Sequence, residues 1–156
     1  MKRLPLFAVL LMLVLLDGCS TLSKLWGGPE KAALQQLKVI ALADANQGQA
    51  TELDLVFIYQ EDIAKTLPVD APTWFTQRSA ILAKYAGQLD VVSLEVPPGY
   101  VIESVQLPDR HGDALQVQAY ANYVPAGGQY PLVLTHLKNV VLTLQEDQVV
   151  FSSGDQ

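Results

Sequence analysis

Apolar and polar residues alternate with a period of two along most of the chain from residue 37 onward. This is the period of a β-strand with one buried face, and it restricts the fold to sheets that cover each other's apolar faces. In the most regular segment Leu115, Val117, Ala119 and Ala121 alternate with Gln116, Gln118, Tyr120 and Asn122, which predicts a half-buried strand. The candidate strands are residues 37–43, 53–59, 89–96, 101–107, 115–122, 132–137, 140–144 and 149–151. About eight strands predict a mostly-β, two-sheet β-sandwich.

One segment between the second and third strands has helical spacing instead. Pro68 and Pro72 precede residues 73–86, and Gly87 stands where a helix is expected to end. The apolar residues at helical spacing are Trp74, Phe75, Ile81, Leu82 and Tyr85. We therefore expect one added amphipathic helix, packed on a sheet through these side chains.

The amino terminus has the pattern of a secretory signal. Lys2 and Arg3 precede the segment 4–16, which is apolar apart from Pro5. Because a membrane-spanning helix needs about 20 apolar residues, this shorter run indicates a removable signal peptide, residues 1–18.

Residues 16–19, Leu-Asp-Gly-Cys, resemble the lipobox of bacterial lipoproteins, although Asp17 occupies a position that is normally small or apolar. The resemblance implies cleavage before Cys19 and attachment of acyl chains to Cys19. Two or three acyl chains give durable membrane attachment, whereas one is marginal. Ser20 resembles the outer-membrane sorting pattern. The alternative is a plain signal peptide followed by an incidental cysteine.

The composition limits the class of partner and the kinds of site that this protein can have. The formal net charge is −6, and no cluster of Lys and Arg is present, which argues against nucleic acid as a partner. The chain has a single Cys, so acylation of Cys19 would leave no thiol for a disulfide or a thiolate metal site. We expect an acylated Cys and tether over residues 19–34 and one periplasmic sandwich domain over residues 35–156.

Catalytic motifs are lacking in the sequence. His111 lies between Asp109 and Asp113, but such polar alternation is common in a solvated turn, and His136 fits the polar face of a strand. No nucleophile elbow, phosphate-binding loop or zinc-protease motif occurs. We therefore expect a protein that is not an enzyme and has no cofactor, catalytic residue or metal site.

The order of elements resembles the outer-membrane lipoprotein of type VI secretion systems, the TssJ family, over about residues 37–151. Family members have an Asn- and Gly-containing loop after the first strand, a strand ending in an I-Y-Q-like stretch, a helical insertion with paired aromatics, a P-G turn followed by Glu, and an A-Y strand. The matching segments are residues 45–48, 56–60, 74–75, 94–103 and 119–123. This sequence departs from the family pattern in two features. No Pro precedes the second strand, and the first loop is short.

The resemblance implies a transthyretin-like sandwich that tethers the envelope-spanning membrane complex to the outer membrane, facing the periplasm from the inner leaflet. The implied partner is the periplasmic carboxy-terminal region of the inner-membrane protein TssM, bound by several copies in a ring-like complex. The implied partner-binding residues form the first loop: Asp44, Ala45, Asn46, Gln47, Gly48, Gln49, Ala50, Thr51 and Glu52. No residue of this loop is expected to be needed for the core. If the loop is not the contact, residues 97–100 and 126–129 are expected to form the opposite end of the sandwich.

Two other functions fit the same sequence. A pilotin-like or chaperone lipoprotein of another secretion or pilus system would also be a small acylated domain with an acidic surface. A small-ligand-binding β-sandwich would be indicated by a deep pocket lined with convergent ionisable groups.

Overall fold

The computed structural model describes residues 28–125, 127 and 129–154. The predicted signal peptide, Cys19 and most of the predicted tether lie outside these residues. Within them, eight strands form two four-stranded sheets, with the orders β4-β1-β7-β8 and β3-β2-β5-β6. The strands are β1 Gln36–Ala41, β2 Thr51–Ile58, β3 Leu89–Val96, β4 Val101–Ile102, β5 Gln116–Asn122, β6 Leu132–Val133, β7 Asn139–Leu144 and β8 Val149–Ser153. The predicted mostly-β two-sheet sandwich is confirmed.

Helical elements are confined to short connections and one insertion. In the described chain, α1 is Glu61–Ala64, α2 is Ala71–Lys84, and a single 3-10 turn spans His111–Asp113. The segment Ala45–Gly48 is a tight turn with left-handed residues inside it. No helix among the residues described has the length and apolarity needed to cross a membrane.

Two predicted strands are much shorter than expected. β4 ends at Ile102, after which Val105 N–H donates to the Leu37 carbonyl as an isolated contact. β6 ends at Val133, and Leu137 N–H turns back to donate to the Leu134 carbonyl. Asn139, which lies between the predicted strands 132–137 and 140–144, is the first residue of β7. These errors share a cause, since alternation shows which residues could form a strand but not whether a neighbouring strand is there to pair with.

The main core lies between the two sheets. β1 and β7 run parallel in the centre of one sheet, and β2 and β5 run antiparallel in the centre of the other. Leu53, Leu55 and Phe57 face this core, and Tyr59 packs at its edge. The other large buried side chains here include Leu34, Leu37, Val39, Leu134, Leu142 and Leu144.

A second core lies on the outer face of the β3-β2-β5-β6 sheet, under α2. Val56, Ile58 and Tyr120 are buried there against Trp74 and Ile81. The Trp74 and Tyr120 rings stack with their centroids 4.7 Å apart and their planes 10° from parallel. The prediction that β5 is half-buried is therefore wrong, because the helix covers the face that was expected to meet solvent.

A buried carboxylate fixes α2 on this sheet. Asp54, on β2, is 1% exposed, and it accepts hydrogen bonds from the Trp74 indole N–H at 2.8 Å and from Arg78 at 3.2 Å. Because a buried charge is costly unless it is paired, these contacts allow essentially one position for the helix. Of the residues predicted to face the sheet, Trp74 and Ile81 are buried and Phe75 and Tyr85 are partly buried. Leu82, also predicted, does not join this cluster.

Helix α2 begins and ends at recognisable signals. Asp70 caps its first turn by accepting a hydrogen bond from Thr73 N–H at 2.8 Å. Pro72 is tolerated near the start, where an N–H would have no intrahelical partner. Beyond Lys84 the chain reaches Gly87, whose φ of 76° is left-handed, as expected for a glycine that follows a helix.

The packed domain begins earlier than the predicted boundary at residue 35. Ala32 N–H donates to the Ala114 carbonyl and Ala33 N–H to the Thr135 carbonyl, both at 2.7 Å. Leu34 is buried in the main core. Residues 31–34 therefore belong to the sandwich and not to the tether, because backbone bonds and one apolar side chain fix them there.

We expect Trp74→Ala to lower the free energy of unfolding by about 3–5 kcal/mol, because it removes a fully buried aromatic and leaves Asp54 with one fewer donor. Phe75→Ala is the control, since Phe75 is only partly buried and should cost less. Chemical denaturation measures both. Equal losses for the two variants would show that α2 does not pack as described.

Candidate partner-binding surface

Four loops meet at one end of the sandwich, which we call the loop pole. They are residues 42–50, residues 97–100, the described residues of 123–131, which are all but 126 and 128, and residues 145–148. Leu42 N–H donates to the Leu144 carbonyl at 2.9 Å, and Gly99 N–H donates to the Leu42 carbonyl at 3.0 Å. Val124 N–H reaches the Asn46 side chain at 2.7 Å. The loops that follow β1, β3, β5 and β7 are adjacent because these strands all end at this side of the molecule.

The sandwich domain begins at the other end, which we call the anchor end. Residues 31–35 bond there to Ala114, Thr135 and Lys138. Strand β2 has eight residues and so separates the two ends by roughly 25 Å.

One part of the predicted layout is therefore wrong. Residues 97–100 and 126–129 were expected at the end opposite the first loop, but 97–100 contacts Leu42, and Gln129 contacts Tyr123 and Ala71 near the same pole. The topology explains this, because the strand that precedes each of these loops runs in the same direction as β1.

The first loop is built on a left-handed turn. Asn46, Gln47 and Gly48 have φ angles of 49°, 56° and 79°. Asn and Gly adopt this conformation at low cost, whereas Gln47 is strained. The turn is held against the β7–β8 hairpin, since Asn46 N–H donates to the Gln145 carbonyl at 3.0 Å and Gln47 N–H to the Glu146 carbonyl at 3.2 Å.

The side chain of Asn46 joins this turn to the second sheet. It is 2% exposed. Its amide N–H donates to the Ala50 carbonyl at 3.1 Å and to the Asn122 carbonyl at 3.4 Å, while its oxygen accepts from Val124 N–H at 2.7 Å. One residue thus connects the ends of β1, β2, β5 and the β7–β8 hairpin.

The expectation that no residue of the first loop is needed for the core is consequently wrong. Ala45, Asn46 and Thr51 are buried, and Thr51 and Glu52 belong to β2. Periodicity could not reveal this, because the burial of Asn46 depends on contacts with β5 and the hairpin, which are distant in sequence. The predicted partner-binding residues that are exposed are Asp44, Gln47, Gly48, Gln49, Ala50 and Glu52.

Tyr123 and Gln129 brace the third loop. Tyr123 N–H donates to the Gln129 side-chain oxygen at 3.0 Å, and the Gln129 amide donates back to the Tyr123 carbonyl at 2.7 Å. The Tyr123 hydroxyl donates to the Gln148 carbonyl at 2.7 Å, which ties the hairpin tip to β5. Burial raises the pKa of Tyr123 to about 12, so this hydroxyl remains a neutral donor at physiological pH. Hydrogen bonds within the chain thus brace the backbone of the loop pole.

Two clefts open at the loop pole. The first has a volume of about 280 Å³. Its lining residues are Asn46, Gln49, Ala50, Glu52, Asn122, Tyr123 and Val124. The second has a volume of about 260 Å³ and lies between the third loop and the hairpin. Its lining residues are Ala121, Tyr123, Gln129, Tyr130, Pro131, Leu132, Asp147, Gln148 and Val149.

The loop pole is acidic and partly apolar. The four loops contain no Lys or Arg. The exposed carboxylates at or beside them are Asp44, Glu52, Glu95, Glu146 and Asp147. The exposed large apolar side chains are Leu42, Tyr100, Val124 and Tyr130. Apolar groups within a charged rim are typical of protein-binding surfaces.

The residues considered for a metal site have other contacts. The His111 ring nitrogen Nδ1 lies 2.9 Å from the Pro108 carbonyl, and Asp113 pairs with Lys31. Hydrogen bonding from Lys31 lowers the pKa of Asp113. Within residues 28–125, 127 and 129–154, no three His, Cys, Asp or Glu side chains are grouped to hold a metal ion.

A larger groove of about 730 Å³ lies near the anchor end, beside β3. Two ionisable groups that line it, Asp90 and Arg110, are paired with each other, since Arg110 Nε donates to Asp90 at 2.9 Å. The Arg110 guanidinium also stacks on the Tyr59 ring at 3.8 Å. This pairing lowers the pKa of Asp90 and occupies both groups in a structural contact.

Several solved structures have a similar fold, whereas no protein-family model and no curated protein matches the sequence. The chain is similar to TssJ1, the type VI secretion lipoprotein of Pseudomonas aeruginosa, at 13% identity and a TM-score of 0.61, covering 81% of this chain and 99% of that one. It is also similar to Lip, a membrane-bound component of the type VI secretion system of Serratia marcescens, at 11% identity and a TM-score of 0.57, covering 76% and 96%.

A third similar chain comes from the structure of the TssM C-terminal domain of EAEC, a type VI secretion protein. The identity is 14% and the TM-score 0.52, with 75% of this chain and 98% of that chain covered. At such identities the likeness establishes a shared fold. The predicted resemblance to the TssJ lipoproteins is confirmed at that level.

We expect Asn46→Gly to destabilise the protein by about 1–3 kcal/mol, because it removes the hydrogen bonds of a buried side chain, including the acceptor of the part-buried Val124 N–H, while keeping the left-handed backbone accessible. Gln47→Gly is the matched control, since it has the same backbone conformation but an exposed side chain, and it should be neutral or stabilising. Thermal and chemical unfolding measure the difference. If Asn46→Gly were as stable as Gln47→Gly, the Asn46 contacts would not hold the loop pole together.

Proposed function

We propose that this protein is a TssJ-type lipoprotein that tethers the membrane complex of a type VI secretion system to the outer membrane. The observation that carries the proposal is the placement of a rigid, exposed loop pole at the end of the sandwich opposite residue 31, in a fold similar to that of TssJ1 over 81% of this chain. The proposed function is attachment and recruitment, with no chemical step.

The proposed anchor is an acylated Cys19 in the inner leaflet of the outer membrane. Residues 20–30 separate Cys19 from the first residue of the sandwich domain and can extend over at most about 40 Å. The sandwich adds roughly 25 Å along its strands. A chain anchored in this way would let the loop pole reach into the periplasm and away from the lipid surface.

The proposed partner is the periplasmic carboxy-terminal region of an inner-membrane TssM-type protein, bound at the loop pole. Its contact would include the exposed face of the left-handed turn, where Gln47 and Gln49 project from a braced backbone. A surface that is already ordered loses little conformational freedom on binding, which favours affinity. Several copies around one assembly would add their individual contacts, so each contact can remain weak.

The described clefts support binding better than catalysis. Each cleft at the loop pole has one carboxylate among amide, aromatic and aliphatic side chains, namely Glu52 in the first and Asp147 in the second. Neither cleft is lined by a His, Lys or Arg that could serve as a second catalytic group.

We expect Cys19→Ser to release the protein from the membrane fraction and to abolish labelling with palmitate, because the acyl chains would have no attachment point. Fractionation and metabolic labelling of cells measure this. Ser20→Ala is the control and should remain acylated. Unchanged labelling of the Cys19→Ser protein would contradict the lipoprotein assignment.

Gln47→Arg together with Gln49→Arg should weaken binding to the TssM-type periplasmic region at least tenfold, because it places two long charged side chains on the proposed contact. Both positions are exposed, so folding should be unchanged. The matched control is Gln77→Arg on the exposed side of α2.

Binding is measured by calorimetry with the purified domains, and secretion is measured in cells. Full binding and secretion by the double variant would remove the first loop from the mechanism. Loss of binding by Gln77→Arg alone would place the contact on α2.

A further inference from the structure

The second cleft at the loop pole has a carboxylate, Asp147, with no partner among the residues that the structure describes. Five other acidic side chains in the described residues are paired: Asp54 with Trp74 and Arg78, Asp90 with Arg110, Asp113 with Lys31, Glu103 with Lys38 and Glu52 with Asn122. Asp147 lines the cleft and makes no hydrogen bond or ion pair to any other described residue. Its charge is therefore available to a group from outside the chain.

The walls of this cleft suit the aliphatic part of a long side chain. Pro131, Leu132 and Val149 are apolar, and the Tyr130 ring is 71% exposed at the rim. Lys and Arg side chains characteristically lay their methylene stems along such surfaces and place the charged head beyond them. An exposed aromatic ring adds attraction for a cation that lies over its face.

The cleft is also held open by contacts that do not involve Asp147. The hydroxyl of Tyr123, directly after β5, donates to the Gln148 carbonyl at 2.7 Å, and Gln129 fixes the backbone of the third loop. A ligand would not need to order these loops on binding, so more of its contact energy would appear as affinity.

We propose that this cleft receives a Lys or Arg side chain from the partner's surface, with Asp147 accepting its charged hydrogen bond and Tyr130 flanking it. This rests on the proposed function and adds to it the chemistry of the partner's face. Charge complementarity identifies the occupant, because the four loops carry no cation that could compensate Asp147, Glu146 or Asp44 from within. The same surface would reject an acidic or phosphate-rich partner.

The test measures binding of the mature lipoprotein to the periplasmic region of the inner-membrane partner over a range of salt concentrations. Asp147→Asn, which keeps the shape and removes the charge, should weaken binding about five- to tenfold at low salt and reduce its salt dependence. Asp147→Lys should weaken it further. The matched control is Asp62→Asn on α1, which removes an exposed charge outside the loop pole and should change affinity less than twofold.

A second variant separates charge from packing. Tyr130→Ser removes the exposed ring from the cleft rim and should weaken binding with its salt dependence kept, because the ion pair remains. Thermal unfolding of each variant should match the parent, since Asp147 and Tyr130 are exposed.

The outcomes distinguish this inference from the proposed function. If the parent binds, and Asp147→Asn and Asp147→Lys bind with the same affinity as the parent, the cationic-side-chain site is overturned. The tethering function is then unaffected. Equal weakening by Asp147→Asn and Asp62→Asn would also overturn it, because the effect would then be general electrostatic attraction. An absence of binding by the parent would overturn the proposed function itself.

Discussion

The buried side-chain amide of Asn46 is the contact on which the loop pole depends. It is a residue of the first loop, and its three hydrogen bonds end on Ala50, directly before β2, on Asn122 of β5 and on the loop that follows β5. Its own backbone N–H, in turn, is bonded to the β7–β8 hairpin of the first sheet. Because Asn tolerates a left-handed backbone and carries both a donor and an acceptor, few other residues could hold all of these elements together.

The two cores give that pole a fixed support. β2 is central to both, since Leu53, Leu55 and Phe57 face the other sheet while Val56 and Ile58 lie under α2. Asp54, on the same strand, fixes the helix through Trp74. A strand that is buried on both faces and paired on both edges has little freedom to move. The exposed part of the turn that begins next to it is therefore presented in one conformation, as a preorganised binding surface requires.

The sequence predicted the layers of the fold better than the surroundings of its loops. Alternating residues identified all eight strands, and the spacing of Trp74 to Tyr85 identified α2, because these patterns depend on local geometry. Burial of the Tyr120 face of β5 was missed, since it depends on a helix some 40 residues earlier in the chain. The same limit applies to the candidate site. The first loop was predicted as the contact, and that stays a prediction. The structural role of Asn46 and the proximity of the third loop and the hairpin depend on strand direction, which no local sequence pattern shows.

The central claim is that the partner binds at the loop pole and leaves the rest of the sandwich uncovered. Hydrogen exchange of the protein, alone and mixed with the periplasmic region of the proposed TssM-type partner, tests it most directly. The account predicts slower exchange in residues 42–52 and 145–149, with α2 and residues 103–115 at the anchor end unchanged. Slower exchange confined to α2 or to the anchor end, with the loop pole unaffected, would contradict it.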